Sequence, residues 1–506
     1  MIVARRYLLG IDVGGTAVKV GLFDLDGRLH GLYTEQIPAE SPQPGWAEID
    51  PLRWLDAVRQ GVPHVLHEAD VRGNDVAALG LSNMIGTVVP VDRHGHPLRK
   101  AIAYFDARSG RQTAWILDRV PDIQQTSANR VTSGNTSLTS IFWLRDHEPQ
   151  IYAVADRFLP TGSFLFRWLT GETRVDWTTA SFVGLFDYRA IDWSSDIAAR
   201  LRFDLARLPP VAAPQSHAGL LRDVAAELGL PAGLPVALGG IDGAMSSVGV
   251  GAIRPGDAFD VSGTSEMIAV CLPRPLFSPQ LLARWHVVPE VWVLIGAVST
   301  SGAAFRWFRD QLYPEVESEG AGYDAMTREA EQSPPGANGV TFLPHMMGER
   351  APIWDPNARG VFFGLTLSST RGDMIRAIME GAAYAMRQLI EIMEVHSGVP
   401  VRRVVTVGGA ARNRLWRRIK ADVWNVSLAT PAVSEATVLG AALTAGVAAE
   451  VYADYAAAVS RAVPKATEVM SPDAQRHRQY ERSYQLYRQL YPALADAMRF
   501  AAADET

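Results

Sequence analysis

The chain has 506 residues and a hydrophobic content of 48%, more than one core accommodates, so two or more domains are expected. Charged residues make up 20% and the formal net charge is −6, which gives no long-range attraction for nucleic acid or anionic lipid and favours a small-molecule partner. Cys271 is the only cysteine, which excludes an internal disulfide and a four-thiolate metal site and fits a reducing cytoplasm.

Residues 1–7 carry Arg5 and Arg6 but no apolar stretch of signal-peptide type. Elsewhere Gly, Ser or charge interrupts each apolar run before it is long enough to span a bilayer, and a soluble, cytoplasmic chain is expected. Tyr7-Leu8-Leu9-Gly10-Ile11 and Val18-Lys19-Val20-Gly21-Leu22-Phe23 predict a hairpin around Asp12-Val13-Gly14-Gly15-Thr16. About half a chain later, Asp260-Val261-Ser262-Gly263-Thr264 repeats that segment and is followed by Met267-Ile268-Ala269-Val270, a pattern expected of an internal duplication. Each copy reads as strand, glycine turn, strand, and a glycine turn lets backbone N–H groups converge on an anion.

Between the two copies, Asp242 lies in Leu238-Gly239-Gly240-Ile241-Asp242-Gly243-Ala244, where glycines allow a substrate close to the backbone. A surface Asp in a flexible loop has the same pattern. The boundary between halves is expected near Gly249 to Pro255, dividing the chain into 1–249 and 250–506. Further on, Ile375, Ile378, Met379, Ala382, Ala383, Met386, Leu389, Ile390 and Met393 recur at helical spacing, with Thr370 and Asp373 as a capping box and Gly398 as the stop. A buried-type strand, Val404 to Val407, then leads through Gly408-Gly409-Ala410 into a helix from about Asn413 to Trp424. Strand, glycine turn and helix N-terminus make a phosphate or nucleotide seat, and the alternation of elements points to an α/β fold.

Phosphoryl transfer from ATP needs a metal near the phosphates, donors for the phosphate oxygens and a carboxylate to take a proton from the attacking hydroxyl. Asp12 offers a carboxylate for magnesium, although an Asp at this position also caps turns. Gly15, Thr16, Gly263 and Thr264 offer phosphate donors, or tight-turn geometry alone. Lys19 faces either phosphate or solvent. Arg412, Arg414, Arg417, Arg418 and Lys420 fall on a mostly solvated helix face by spacing, and His345 with Glu349 lacks the second ligand of a zinc motif.

Taken in order, these motifs resemble the FGGY carbohydrate kinases, relatives of the sugar kinase, actin and heat-shock chaperone ATPase fold. The likeness runs almost end to end. It includes Gly10 to Thr16, Pro44-Gly45-Trp46-Ala47-Glu48, Phe105-Asp106-Ala107-Arg108, Leu169-Thr170-Gly171-Glu172, Gly239 to Gly243 and Ser262 to Ser265. It continues with Gly348-Glu349-Arg350-Ala351-Pro352, Asp355 to Gly360, and Gly408-Gly409-Ala410 with Asn413 and Trp416. The resemblance implies two duplicated ribonuclease-H-like domains with a cleft between them, the first holding the sugar and the second ATP. It implies Asp242 as catalytic base, Asp12 as the magnesium-associated acid, and Thr16 and Thr264 in phosphate turns. Gly302, Gly408, Gly409, Ala410 and Asn413 fall where the family lines its nucleotide pocket, and Asp106 and Gly243 on the acceptor side. Homodimers are common among such kinases, which the resemblance carries over as an expectation.

The acceptor motif departs from the subfamily patterns. Where xylulokinases usually show Gln-Met-His-Gly, this chain has Asn83-Met84-Ile85-Gly86, with Ile85 in place of His, and the Arg-Glu pair usual in glycerol kinases is also missing. Specificity for hydroxyls rests on matched polar contacts, so a ketose or polyol is expected without a commitment to D-xylulose. Two other readings share the fold: a nucleotide-driven conformational ATPase, and a sugar sensor without catalysis.

Overall fold

A computed structural model describes residues 6–313, 319–433, 435–466 and 468–503. Two sheets organise them. The first takes β1 (Tyr7–Val13), β2 (Ala17–Asp24), β3 (Leu29–Gln36), β4 (Val76–Asn83), β5 (His217–Gly219) and β6 (Pro235–Ile241) in the order β5-β6-β4-β1-β2-β3. The helix α1 (Asp242–Gly249) follows β6 directly. The second sheet takes β7 (Ala258–Ser262), β8 (Glu266–Leu272), β9 (Leu282–Trp285), β10 (Trp292–Val298), β11 (Arg403–Gly408), β12 (Ser427–Thr430) and β13 (Glu468–Met470), ordered β9-β10-β8-β7-β11-β12-β13.

The two cores superpose in topology. In each, an antiparallel hairpin (β1–β2 and β7–β8) pairs with a third antiparallel strand, and the first strand pairs in parallel with a later one, β4 or β11. That is the duplication expected from the repeat, in the ribonuclease-H-like form implied by the resemblance. Leu8, Leu9, Ile11 and Val13 of β1 are all buried, as strands covered on both faces require.

Helices pack on both sheets. The long helix α2 (Arg371–Ser397) starts at a capping box of Thr370 and Asp373 and stops at Gly398 in the left-handed conformation, φ 69°, as its sequence predicts. The helix α3 (Arg414–Trp424) is capped by Asn413, whose Oδ1 accepts from the Trp416 amide at 3.0 Å. The helix α4 (Ala436–Ala448) comes from the second half of the chain, yet it packs on the first sheet and against α1. Glycine permits this approach: a Cβ on Gly10 would lie 2.1 Å from the Val438 carbonyl oxygen, and one on Gly80 2.0 Å from that of Ala441. Where α1 meets α4, a Cβ on Gly249 would lie 1.9 Å from the Ala436 oxygen and one on Gly440 1.9 Å from the Met245 oxygen.

The edge strand β9 is stitched to the first half of the chain. The Asn129 amide bonds the backbone of Ala283 twice, donating to its oxygen at 2.8 Å and accepting from its nitrogen at 3.0 Å. Trp177 donates to the His286 carbonyl and Trp285 to that of Tyr188, both at 2.7 Å. Cys271 lies in the core, its thiol pushed up to about 12 by burial. Among the described residues no helix is long and apolar enough to cross a membrane.

Gly440→Ala forces the helix pair apart, because the clashing atom is backbone and cannot rotate away. A loss of about 1–3 kcal/mol is expected, read as a lower thermal midpoint. Gly110→Ala, where nothing lies within 4 Å of the new Cβ, leaves the midpoint unchanged.

Candidate active site

Each hairpin tip is a glycine turn closed on itself. Gly14 donates to the Ala17 carbonyl at 3.0 Å and Gly263 to that of Ser265 at 2.9 Å. Gly15 is partly exposed, and Thr16, Gly263 and Thr264 are exposed, so backbone and hydroxyl donors are open to a ligand. The second tip is buttressed by the turn before the helix Gly302–Leu312: Gly302 donates to the Gly263 carbonyl and Ser301 to that of Thr264, both at 3.1 Å. A Cβ on Gly302 would lie 2.4 Å from the Gly263 oxygen, and one on Gly408, φ 99°, 2.4 Å from the Ser262 oxygen. Beside this tip opens a cleft of about 630 Å³, lined by Gly263, Thr264, Gly302, Gly409, Ala410 and Asn413 among others. The Phe305 and Tyr323 rings stack on one another at its wall, 5.6 Å between centroids.

Behind the tips the two halves repeat one interaction and then diverge. Asp12 on β1 accepts from the Ser82 hydroxyl of β4 at 2.7 Å, and Asp260 on β7 accepts from the Thr406 hydroxyl of β11 at 2.7 Å. Among the described residues, Asp12 Oδ2 has no hydrogen-bond partner. Burial pushes its carboxyl up to about 7, the Ser82 hydroxyl pulls it down, and the nearby Asp242 adds to the rise. Asp260 is instead sealed in: Lys420 Nζ lies 3.1 Å from Asp260 and 2.5 Å from Glu266, and donates to Ser262 at 2.5 Å. Lys420 is therefore not on a solvated face. It is 1% exposed and Arg417 8%, because α3 turns that side onto the second sheet. The basic run predicted to be mostly solvated is thus corrected at two of its five members.

Asp242 is the first residue of α1. It is exposed, with protein close around the base of its side chain. Its Oδ1 accepts from the Gly243 amide at 2.6 Å. Burial raises its carboxyl above the usual carboxylate range, opposed by that amide and by the Arg284 guanidinium. Arg284 is fully buried, with Nε and Nη2 unpartnered, and burial lowers it to about 10. The N-terminal end of α1 lies near both hairpins: Asp242 senses Asp12, and a Cβ on Gly243 would lie 3.8 Å from Met267, just past the second tip. Ser247 of α1 is held 2.7 Å from His286 Nε2; burial drives that imidazole down to about 3, so it stays neutral.

The other expected residues fall as follows. Lys19 pairs with Glu435, just ahead of α4, at 2.7 Å. Asn83 and Met84 are fully buried, Asn83 bonding Thr179 at 3.2 Å, and of the three acceptor-motif residues Ile85 alone lines a cavity. Asp106, 1% exposed, gives its oxygens to the Arg108 guanidinium and the Ala47 amide, so it braces the wall instead of facing a ligand. His345 and Glu349 form a buried pair at 2.7 Å. Sequence reasoning missed Ser82, Thr406, Glu266 and Arg284. Their one signal was polarity inside strands otherwise apolar.

The description "FGGY family of carbohydrate kinases" matches twice, its N-terminal domain over residues 7–249 and its C-terminal domain over 259–449. The chain belongs to the FGGY family of carbohydrate kinases. It is similar to a xylulose kinase of Staphylococcus epidermidis, 29% identical over 445 residues, 87% of this chain and 88% of that one. It is also similar to a gluconokinase of Bacillus subtilis, 28% identical over 451 residues and 86% of each chain. The crystal structure of xylulose kinase from Rhodospirillum rubrum aligns with a TM-score of 0.90 at 28% identity, over 98% of this chain and all of that one. As an FGGY carbohydrate kinase, the protein is an ATP-using phosphotransferase.

The buried triad beneath the second tip is testable by itself. Lys420→Met leaves Asp260 and Glu266 facing each other without a cation, a loss of about 3–5 kcal/mol. Burial already holds the Glu266 carboxyl above its usual range, so its protonated form favours the folded state. That contribution is complete below the unfolded glutamate value and is lost as pH rises through the raised folded one. Denaturant unfolding is therefore expected to show a larger deficit for the variant at about pH 8 than at about pH 5.5.

Proposed function

We propose that this kinase transfers the γ-phosphoryl group of ATP to a hydroxyl of a sugar or polyol, with Asp242 as general base. One observation carries the reading. An exposed carboxylate stands at a helix N-terminus, near Asp12 of the first hairpin and Met267 of the second, and the protein around it raises its proton affinity. A base of raised affinity takes up a hydroxyl proton more readily.

In this reading the second half of the chain holds the nucleotide: the Gly263–Thr264 turn at the phosphates, Gly302, Gly408, Gly409, Ala410 and Asn413 along the cleft. Gly15 and Thr16 face the transferred group from the first tip. Lys19, paired with Glu435, ties β2 to the segment before α4. The acceptor oxygen attacks the γ-phosphorus, its proton passes to Asp242, the bond to the β–γ bridging oxygen breaks, and ADP leaves.

Among the described residues there is no cluster of three or more metal-ligating side chains. Asp12 nevertheless fits magnesium, which takes one or two carboxylates and completes its shell with waters and phosphates. Its unpartnered Oδ2 and its burial-raised carboxyl both favour a cation beside it. Magnesium would neutralise charge on the phosphate oxygens. Ser82 fixes the carboxylate that would hold it.

Asp242→Asn removes the proton acceptor and keeps the shape. Acceptor-dependent ADP release is expected to fall by roughly 10²–10⁴-fold, while ADP still raises the thermal midpoint of the variant. Turnover equal to wild type would remove Asp242 from the mechanism.

A further inference from the structure

A partly open cavity of about 60 Å³ lies where the first half of the chain meets the second, lined by Ile85, Asn129, Arg130, Thr132, Arg350 and Trp354 among others. None of the residues lining it is Asp, Glu or His. Two of them carry positive charge. Among the described residues Arg130 has no ion-pair partner and its buried Nε no hydrogen-bond partner, and its guanidinium lies 5.0 Å from the centre of the Trp354 ring. Arg350 donates to the Val298 carbonyl at 2.9 Å. The adjacent Glu349 favours its charged form, while the Glu349 oxygens accept from the Ser299 and Arg350 amides and pair with His345 at 2.7 Å. Burial disfavours the charged form of both arginines.

The cavity borders the segment that carries Tyr104: Asn135 is in its lining, and a Cβ on the preceding Gly134 would lie 2.3 Å from the Tyr104 carbonyl oxygen. Tyr104 feels both Arg350 and Asp242, and its ring lies 3.0 Å from where a Cβ on Gly15 would stand. An acceptor reaching from Asp242 past Tyr104 brings its far end to the two guanidiniums. A neutral sugar or polyol would leave the half-buried Arg130 guanidinium without a counter-charge, and its hydroxyl protons would find no carboxylate or imidazole in the lining. A carboxylate removes both problems, since its oxygens accept from guanidinium forks and it needs no acceptor in return. A carboxylate with its adjacent carbon also suits a space of about two waters. Ile85, standing where a histidine would offer a partner to a neutral sugar's hydroxyl, is consistent with a site that does not read one there.

We infer that Arg130 and Arg350 form a carboxylate subsite, and that the acceptor is a polyhydroxy acid of the aldonate class phosphorylated at a hydroxyl remote from its carboxylate. This rests on the kinase reading above. The atoms balance as in any alcohol phosphorylation: the remote hydroxyl gains the phosphoryl group and loses its proton to Asp242, ADP departs, and the carboxylate is unchanged.

The test compares ADP release from wild type with D-gluconate and D-xylonate against D-glucitol, xylitol and D-xylulose. The acids are expected to exceed their neutral counterparts in kcat/KM by roughly 10²-fold or more. Arg130→Gln is expected to narrow that ratio at least about tenfold, and D-gluconate without nucleotide to raise the wild-type thermal midpoint more than D-glucitol does. Neutral acceptors turned over as well as the acids, or a ratio that Arg130→Gln leaves in place, would overturn the subsite and leave the kinase reading standing. No ADP release with any acceptor of either class would overturn the kinase reading and the subsite together.

Discussion

Backbone contact between α1 and α4, possible only because Gly249 and Gly440 carry no side chain, fixes how the two halves of the molecule meet. The first residue of α1 is Asp242, and the residue ahead of α4 is Glu435, the partner of Lys19. One close crossing therefore places the proposed base and a cross-domain ion pair. Gly10 and Gly80 let α4 rest on the first sheet in the same way, so a helix from the second half of the chain covers the first sheet. A helix pair locked through backbone atoms cannot slide by fractions of an ångström as side-chain packing does. The stitched strand β9 is a second point of attachment between the halves.

Duplication supplied two equivalent hairpins, and their acids took different environments. Both Asp12 and Asp260 accept a hydroxyl from the neighbouring parallel strand at the same distance. Asp12 faces Asp242 and keeps an oxygen free, a position suited to a cation. Asp260 is covered by Lys420, which also satisfies Glu266 and Ser262 and so ties both strands of the second hairpin to α3. The second tip thus becomes a rigid presenter of backbone donors, while the first keeps its charge for the reacting groups.

Much of this arrangement was legible in the chain. The repeated Asp-x-x-Gly-Thr segment, its strand context and its spacing at half the chain gave the duplicated fold, and the Thr370–Asp373 box with Gly398 gave a helix nearly residue by residue. These are local signals, set by backbone conformation and capping. What stayed hidden depends on contacts between distant residues. Nothing near Lys420 in the sequence says that Asp260 and Glu266 await it, so helix spacing alone put it in solvent. Asp106 shows how a real motif can be read one layer off: its carboxylate serves Arg108 and Ala47, and the wall they brace is what meets the cleft. Arg130 carries no motif at all. It matters only because Arg350 and Trp354, more than two hundred residues later, close the same cavity.

The central claim is that one cleft brings a nucleotide from the second half and an alcohol from the first to Asp242. A crystal structure with magnesium, a non-hydrolysable ATP analogue and a bound acceptor measures this most directly. The expected result is an acceptor hydroxyl within about 2.6–3.2 Å of an Asp242 carboxylate oxygen, on the side facing the terminal phosphate. An acceptor with every hydroxyl beyond reach of that carboxylate, or a terminal phosphate on the far side of the second hairpin, would contradict it.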